Sequence, residues 1–159
     1  MKALVYCYKS SVLNNWLGLA LAGIMTRPLT CPPLTAETFP YARLAEAELI
    51  YIALHGTPKS RLLRGDESIP ALDVDGILAG PQLQPGAVVI LEGCYGAKTP
   101  FPRAFIERGA RAVISSPKRT WDKPRMLGTA GRLGSTMVRA LLQGASPEAV
   151  APEGWEVLM

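Results

Sequence analysis

Two unbroken apolar runs, residues 49–54 (LIYIAL) and 87–91 (AVVIL), constrain this chain more than any other feature. A strand with one wet face alternates apolar and polar side chains. A strand without alternation must be covered on both faces, as in parallel sheets. Residues 111–115 (RAVIS) give a third strand, and residues 1–8, rich in β-formers, a first. Helical signals fall between them. Ser10 or Ser11 can cap a helix in which Val12, Trp16, Leu17, Leu19, Ala20, Gly23 and Ile24 recur at helical spacing. Residues 41–48 suit one or two helical turns. Thr99 stands as N-cap before Pro100 and a helix over 101–108 that ends at Gly109. A last helix over 135–143 stops at Gly144. Prolines at 28, 32, 33 and 40 leave room only for a short edge strand. Residues 57–70 read as an exposed loop or hairpin, 71–78 as a helical turn, and 120–132 fits either class. Alternating strands and helices predict an α/β fold: a three-layer α/β/α sandwich on a mainly parallel sheet. The chain's 159 residues suit a single domain.

Charge is unevenly spread. Residues 98–139 carry ten basic and two acidic residues, whereas 1–97 carry seven basic against eight acidic, and 140–159 add three acids. Solvated helix faces explain such a stretch most plainly; a surface for an acidic partner is the sharper reading. Nucleic acid is not the expected partner, because no binding motif accompanies the charge and aromatics are only 7% of the chain. No apolar run reaches the roughly 18–20 residues of a membrane span. The first residues lack a long apolar stretch before a small-residue cleavage site, so a cytoplasmic protein is expected. Cys7, Cys31 and Cys94 cannot all pair within one chain, which fits free thiols in a reducing compartment. A zinc site built from them and His55 is set aside, since separations of 24, 24 and 39 residues match no zinc module. Neither metal nor cofactor is expected.

The chemistry-bearing residues stand just after the two apolar runs. The first continues into His55-Gly56 and the second into Glu92-Gly93-Cys94-Tyr95-Gly96. In open parallel sheets, ligands gather beyond the carboxyl ends of the strands. Neighbouring strands lie roughly 4.8 Å apart. If these two pair in register, His55 and Cys94 overhang one edge. A thiol becomes a strong nucleophile only as thiolate, and a histidine can take its proton and later deliver it to a leaving amine. Glycines 56, 93 and 96 permit backbone shapes whose amides, near Gly56 and Cys94, could hold an oxyanion. The chain has one histidine, so any imidazole chemistry must use His55. Each residue also has a structural explanation: a hydrogen-bonded strand-end histidine, and a cysteine acting as a small buried hydrophobe.

This order resembles the caspase-like cysteine peptidases, the group that includes caspases, legumain, clostripain, gingipains and CHAT domains. YIALHGTP resembles their histidine segment, and VVILEGCYGAKTPFPRAFIERGARAVISS their cysteine segment with its following helix and strand. FIERGARAVIS is most similar to CHAT and gingipain-like domains, and LGSTMVRALLQGASPEAV resembles their terminal helix and turn. The resemblance covers residues 49–150. It implies the caspase-like form of the sandwich and a cysteine endopeptidase that forms an acyl-enzyme through Cys94. His55 would serve as general acid and base, and Gly56 and Cys94 as backbone oxyanion donors. It implies a peptide or protein substrate, latency relieved by an activating protein partner, and pairing of exposed sheet edges into a homodimer. Glu92 stands two residues before the cysteine, as a pocket residue does in legumain, and would be substrate-binding there. An ion pair between Glu92 and an arginine of 98–139 is the stronger expectation from the residues alone. Asp73 and Asp75 are likewise better suited to capping the turn at 71–78 than to lining a cleft.

Two other classes remain open. One is a catalytically silent relative that serves as an interaction or assembly module. The other is an unrelated α/β domain that binds a phosphate or nucleotide, although the chain has neither a P-loop nor a G-x-G-x-x-G turn.

Overall fold

The computed structural model describes residues 2–11, 27–119 and 129–159. The helix expected over 12–24 and most of the undecided stretch 120–132 lie outside the described residues. In chain order the strands are β1 (Ala3–Tyr8), β2 (Leu29–Cys31), β3 (Leu49–Ala53), β4 (Leu62–Arg64), β5 (Pro70–Asp73), β6 (Val88–Leu91), β7 (Ala112–Ser115) and β8 (Glu156–Leu158). The helices are α1 (Val74–Ala79), α2 (Phe101–Glu107), α3 (Thr129–Leu142) and α4 (Pro147–Val150).

Six strands form one sheet in the order β2-β1-β3-β6-β7-β8. Every pairing is parallel except β7 with β8. All residues of β3, β6 and β7 are buried, as the unbroken apolar sequence of β3 and β6 requires; in β7 this includes the polar Ser115. Odd and even positions feed two separate cores. Ile50, Ile52, Val89, Leu91 and Val113 pack with α1, α2 and the 3₁₀ turn Tyr41–Glu46. Tyr51, Ala53, Val88, Ile90 and Ile114 pack with Met137, Val138 and Leu141 of α3. The expected three-layer α/β/α architecture is therefore the one formed. Phe101 and Phe105 of α2 are fully buried, and burial of such a side chain stabilises by about 1.5–3 kcal/mol.

Several local expectations need correction. Residues 57–70 do form a hairpin arm, but its partner takes half of the turn expected over 71–78. Residues 70–73 pair antiparallel with β4, and only from Val74 does the chain turn helical. Asp73 caps that helix, its carboxylate accepting the Asp75 N–H at 3.0 Å. Asp75 instead pairs with Arg61. Thr99 does not cap α2. Its hydroxyl donates to the Gly96 carbonyl at 2.6 Å, and α2 begins from Pro100 without a side-chain cap. The short edge strand allowed between the prolines is β2, whose ladder stops at Pro32 and Pro33.

Candidate active site

The site grows from the register of β3 on β6. Ile52 faces Leu91, and the Glu92 N–H donates to the Ile52 carbonyl at 2.8 Å. Three residues farther along stand His55, past the end of β3, and Cys94, past the end of β6. The two exits run side by side. A Cβ at Gly93 would lie 2.5 Å from the Leu54 carbonyl oxygen, and one at Gly56 would overlap the carbonyl oxygen of Cys94. Both glycines are thus required by a close backbone approach, whatever their dihedral angles.

His55 is exposed at the rim. Its N–H donates to the Arg64 carbonyl at 2.8 Å, and the Arg64 N–H returns to the His55 carbonyl at 2.9 Å. The β4 arm therefore fixes the histidine backbone. Its ring lies against Tyr8, with centroids 4.4 Å apart and planes 28° from parallel. Cys94 is half-buried, and none of the three cysteines is in a disulfide. Cys7 and Cys31 are fully buried, so Cys94 is the thiol that solvent reaches.

The turn after Cys94 is tied on two sides. Tyr95, in the left-handed region at φ 57°, donates its N–H to the Lys118 carbonyl at 2.9 Å. The Ala97 N–H donates to the Ser116 carbonyl at 3.0 Å, and the Lys59 N–H to the Lys98 carbonyl at 2.8 Å. This last bond joins the histidine loop to the cysteine loop. A non-glycine residue in that region costs on the order of 1–3 kcal/mol and persists where its surroundings fix it. Among the described residues, no acceptor takes the Gly56 N–H.

Glu92 is placed differently from the rim residues. It is buried, it accepts from the Tyr51 hydroxyl, and Gly134 of α3 packs against both. Its side chain thus belongs to the layer beneath α3. A cleft of about 230 Å³ opens at the opposite rim between Glu48, Val88, Arg111 and Leu141, and neither histidine nor cysteine lines it.

Sequence reasoning missed Tyr8 and Arg64. Tyr8 was within reach: β1 pairs with β3 so that Cys7 faces Ala53, which puts an aromatic ring one step from the histidine. Arg64 carried no such signal, because its carbonyl arrives only through the fold of the β4–β5 hairpin.

No family model matches the chain, and no curated protein does. Among solved structures it is similar to a secreted C11 cysteine protease from Bacteroides thetaiotaomicron, which was solved in complex with an irreversible peptide inhibitor. Identity is 16%, the overlap covers 67% of this chain and 30% of that one, and the TM-score is 0.41. The chain thus spans less than a third of that protease's length.

Proposed function

We propose that this protein is a cysteine peptidase whose working pair is His55 and Cys94. One observation supports the reading: the backbones of residues 54–56 and 93–94 run side by side at the carboxyl rim of the sheet, the sole histidine in the first segment and the half-buried thiol in the second. His55 takes the Cys94 proton, and the sulfur adds to the carbonyl carbon of a bound peptide. The oxygen that becomes negative is met by the N–H groups of Gly56 and Cys94, and one such donor is typically worth about 3 kcal/mol of barrier. As the C–N bond breaks, His55 returns the proton to the leaving amine. Water, deprotonated by His55, then cleaves the thioester and frees the acid and the thiol.

A fluorogenic peptide library digested by wild type and by Cys94→Ala tests this. Turnover is expected from wild type alone. Iodoacetamide is expected to label Cys94 before Cys7 and Cys31, and His55→Ala should slow that labelling. Turnover that survives Cys94→Ala removes the cysteine from the mechanism. Absence of turnover, with Cys94 no more reactive than the buried thiols, points to a silent interaction module.

A further inference from the structure

Two lysines of the basic stretch 98–139, Lys98 and Lys118, come to the candidate ledge together with Lys9 and Lys59 from outside that stretch. Lys9 directly follows Tyr8, whose ring lies on His55. Lys59 and Lys98 are joined backbone to backbone between the histidine and cysteine loops, and the Lys118 carbonyl accepts the N–H of Tyr95, next to Cys94. All four lysines are exposed.

The nearby acids are mostly engaged elsewhere. Asp66 accepts the N–H and hydroxyl of Ser10 at 2.6 and 2.7 Å, and Glu92 is buried against Tyr51. Glu156 reaches Lys98 at 3.4 Å between half-exposed side chains, and Glu67 is exposed on the turn after β4. Among the described residues, the ammonium groups of Lys9, Lys59 and Lys118 have no carboxylate partner.

We infer that this ledge selects acidic peptide segments, with Asp or Glu side chains flanking the bond to be cleaved; the inference rests on the peptidase reading above. Lysines on both sides of the pair raise the local concentration of an anionic chain and orient it across the ledge. Exposed charges of this kind are screened within about 10 Å at 0.1 M salt, so the preference must weaken as salt rises. It should appear in KM more than in kcat, since the lysines hold the flanks and not the reacting atoms.

The test uses one core peptide with Glu, Ser or Lys flanks, turned over by wild type and by the Lys59→Glu/Lys118→Glu variant. In parallel, the binding of the same peptides to Cys94→Ala is followed by fluorescence anisotropy. Wild type should prefer Glu over Lys flanks by about tenfold or more in kcat/KM at low salt, with the ratio shrinking toward one near 0.5 M salt. The charge-reversed variant should lose or invert the preference. Cys94-dependent turnover without a flank preference overturns this inference and leaves the peptidase intact. Missing turnover with preferential binding of Glu-flanked peptides overturns the peptidase and keeps the acidic surface. Competition by a single-stranded oligonucleotide as strong as by an acidic peptide of equal charge overturns the inference in favour of a nucleic-acid surface.

Discussion

Tyr8 lies against the histidine of the proposed pair without sharing in its chemistry. Its ring lies 4.4 Å from that of His55, at 28° to parallel, and aromatic pairs of this kind are worth about 0.5–1.5 kcal/mol beyond their buried area. A rim imidazole held only by its own backbone would sample several rotamers, and the ring face restricts that choice. In the proposed reaction Tyr8 is thus a positioning residue. Tyr8→Phe keeps the face and should retain turnover close to wild type, whereas Tyr8→Ala should lower kcat by about tenfold with KM little changed. Equal losses from both variants would assign the effect to the hydroxyl, and a loss confined to thermal stability would assign it to packing. The neighbouring residues differ in how far the sequence announces them. His55, Gly56, Gly93 and Cys94 are legible because each closes an apolar strand and because the histidine is unique. Glu92 announces a polar group, but its burial beside Tyr51 depends on cross-strand register: Tyr51 faces Ile90, and Glu92 is the next residue on that same face.

At the scale of elements, legibility follows burial. β3, β6 and β7 are covered on both faces, so β3 and β6 are unbroken apolar runs and β7 departs from one only at the buried Ser115. β8 has one half-buried residue between two exposed ones, a pattern shared with loops, and only its pairing to β7 makes it a strand. Residues 71–73 fall in a stretch, 71–78, that reads as a helical turn. Pairing with β4 outweighs that preference, helped by the Tyr41 hydroxyl, which accepts the Asp73 N–H at 3.0 Å. Thr99 has the residue type of a cap, but its hydroxyl is turned inward to the Gly96 carbonyl, where it closes the turn after Cys94. Asp73 and Asp75 separate two kinds of carboxylate two residues apart. Asp73→Ala removes the acceptor of the Asp75 N–H and should cost about 1 kcal/mol in chemical denaturation. Asp75→Ala breaks an exposed pair with Arg61 and should cost no more than about 0.5 kcal/mol. Equal costs would mean that Asp73 does not carry the start of α1.

At the scale of the whole molecule, buried acidic protons tie stability to alkaline pH, and Tyr6 and Cys31 hold two of them in the same core. Tyr6 is fully buried in β1, and its hydroxyl donates to the Ala71 carbonyl at 3.0 Å, joining the main sheet to the β4–β5 hairpin. Cys31 lies fully buried at the end of β2, in the same core. Burial pushes the Tyr6 phenol well above its ordinary value, with the nearby Cys31 thiol adding to the rise. Burial likewise pushes the Cys31 thiol up, against a smaller lowering from the neighbouring Tyr6 hydroxyl. Both groups therefore hold their protons more tightly when folded than when unfolded. In alkaline solution the unfolded chain loses these protons first, which draws the equilibrium toward it. Their contribution is complete below the thiol's ordinary value of 9.0, shrinks as the pH passes it, and shrinks faster beyond the phenol's ordinary value of 10.0. Each such group adds up to about 1.4 kcal/mol of lost stability per pH unit above its unfolded value. The melting temperature should therefore fall with increasing steepness between about pH 8.5 and 10.5. The double variant Tyr6→Phe/Cys31→Val should start from a lower plateau, because the Ala71 carbonyl loses its donor. It should then decline less steeply, since neither proton remains to be lost. An unchanged slope in that variant would transfer the alkaline sensitivity to other groups, Tyr41 among them, whose phenol burial also raises.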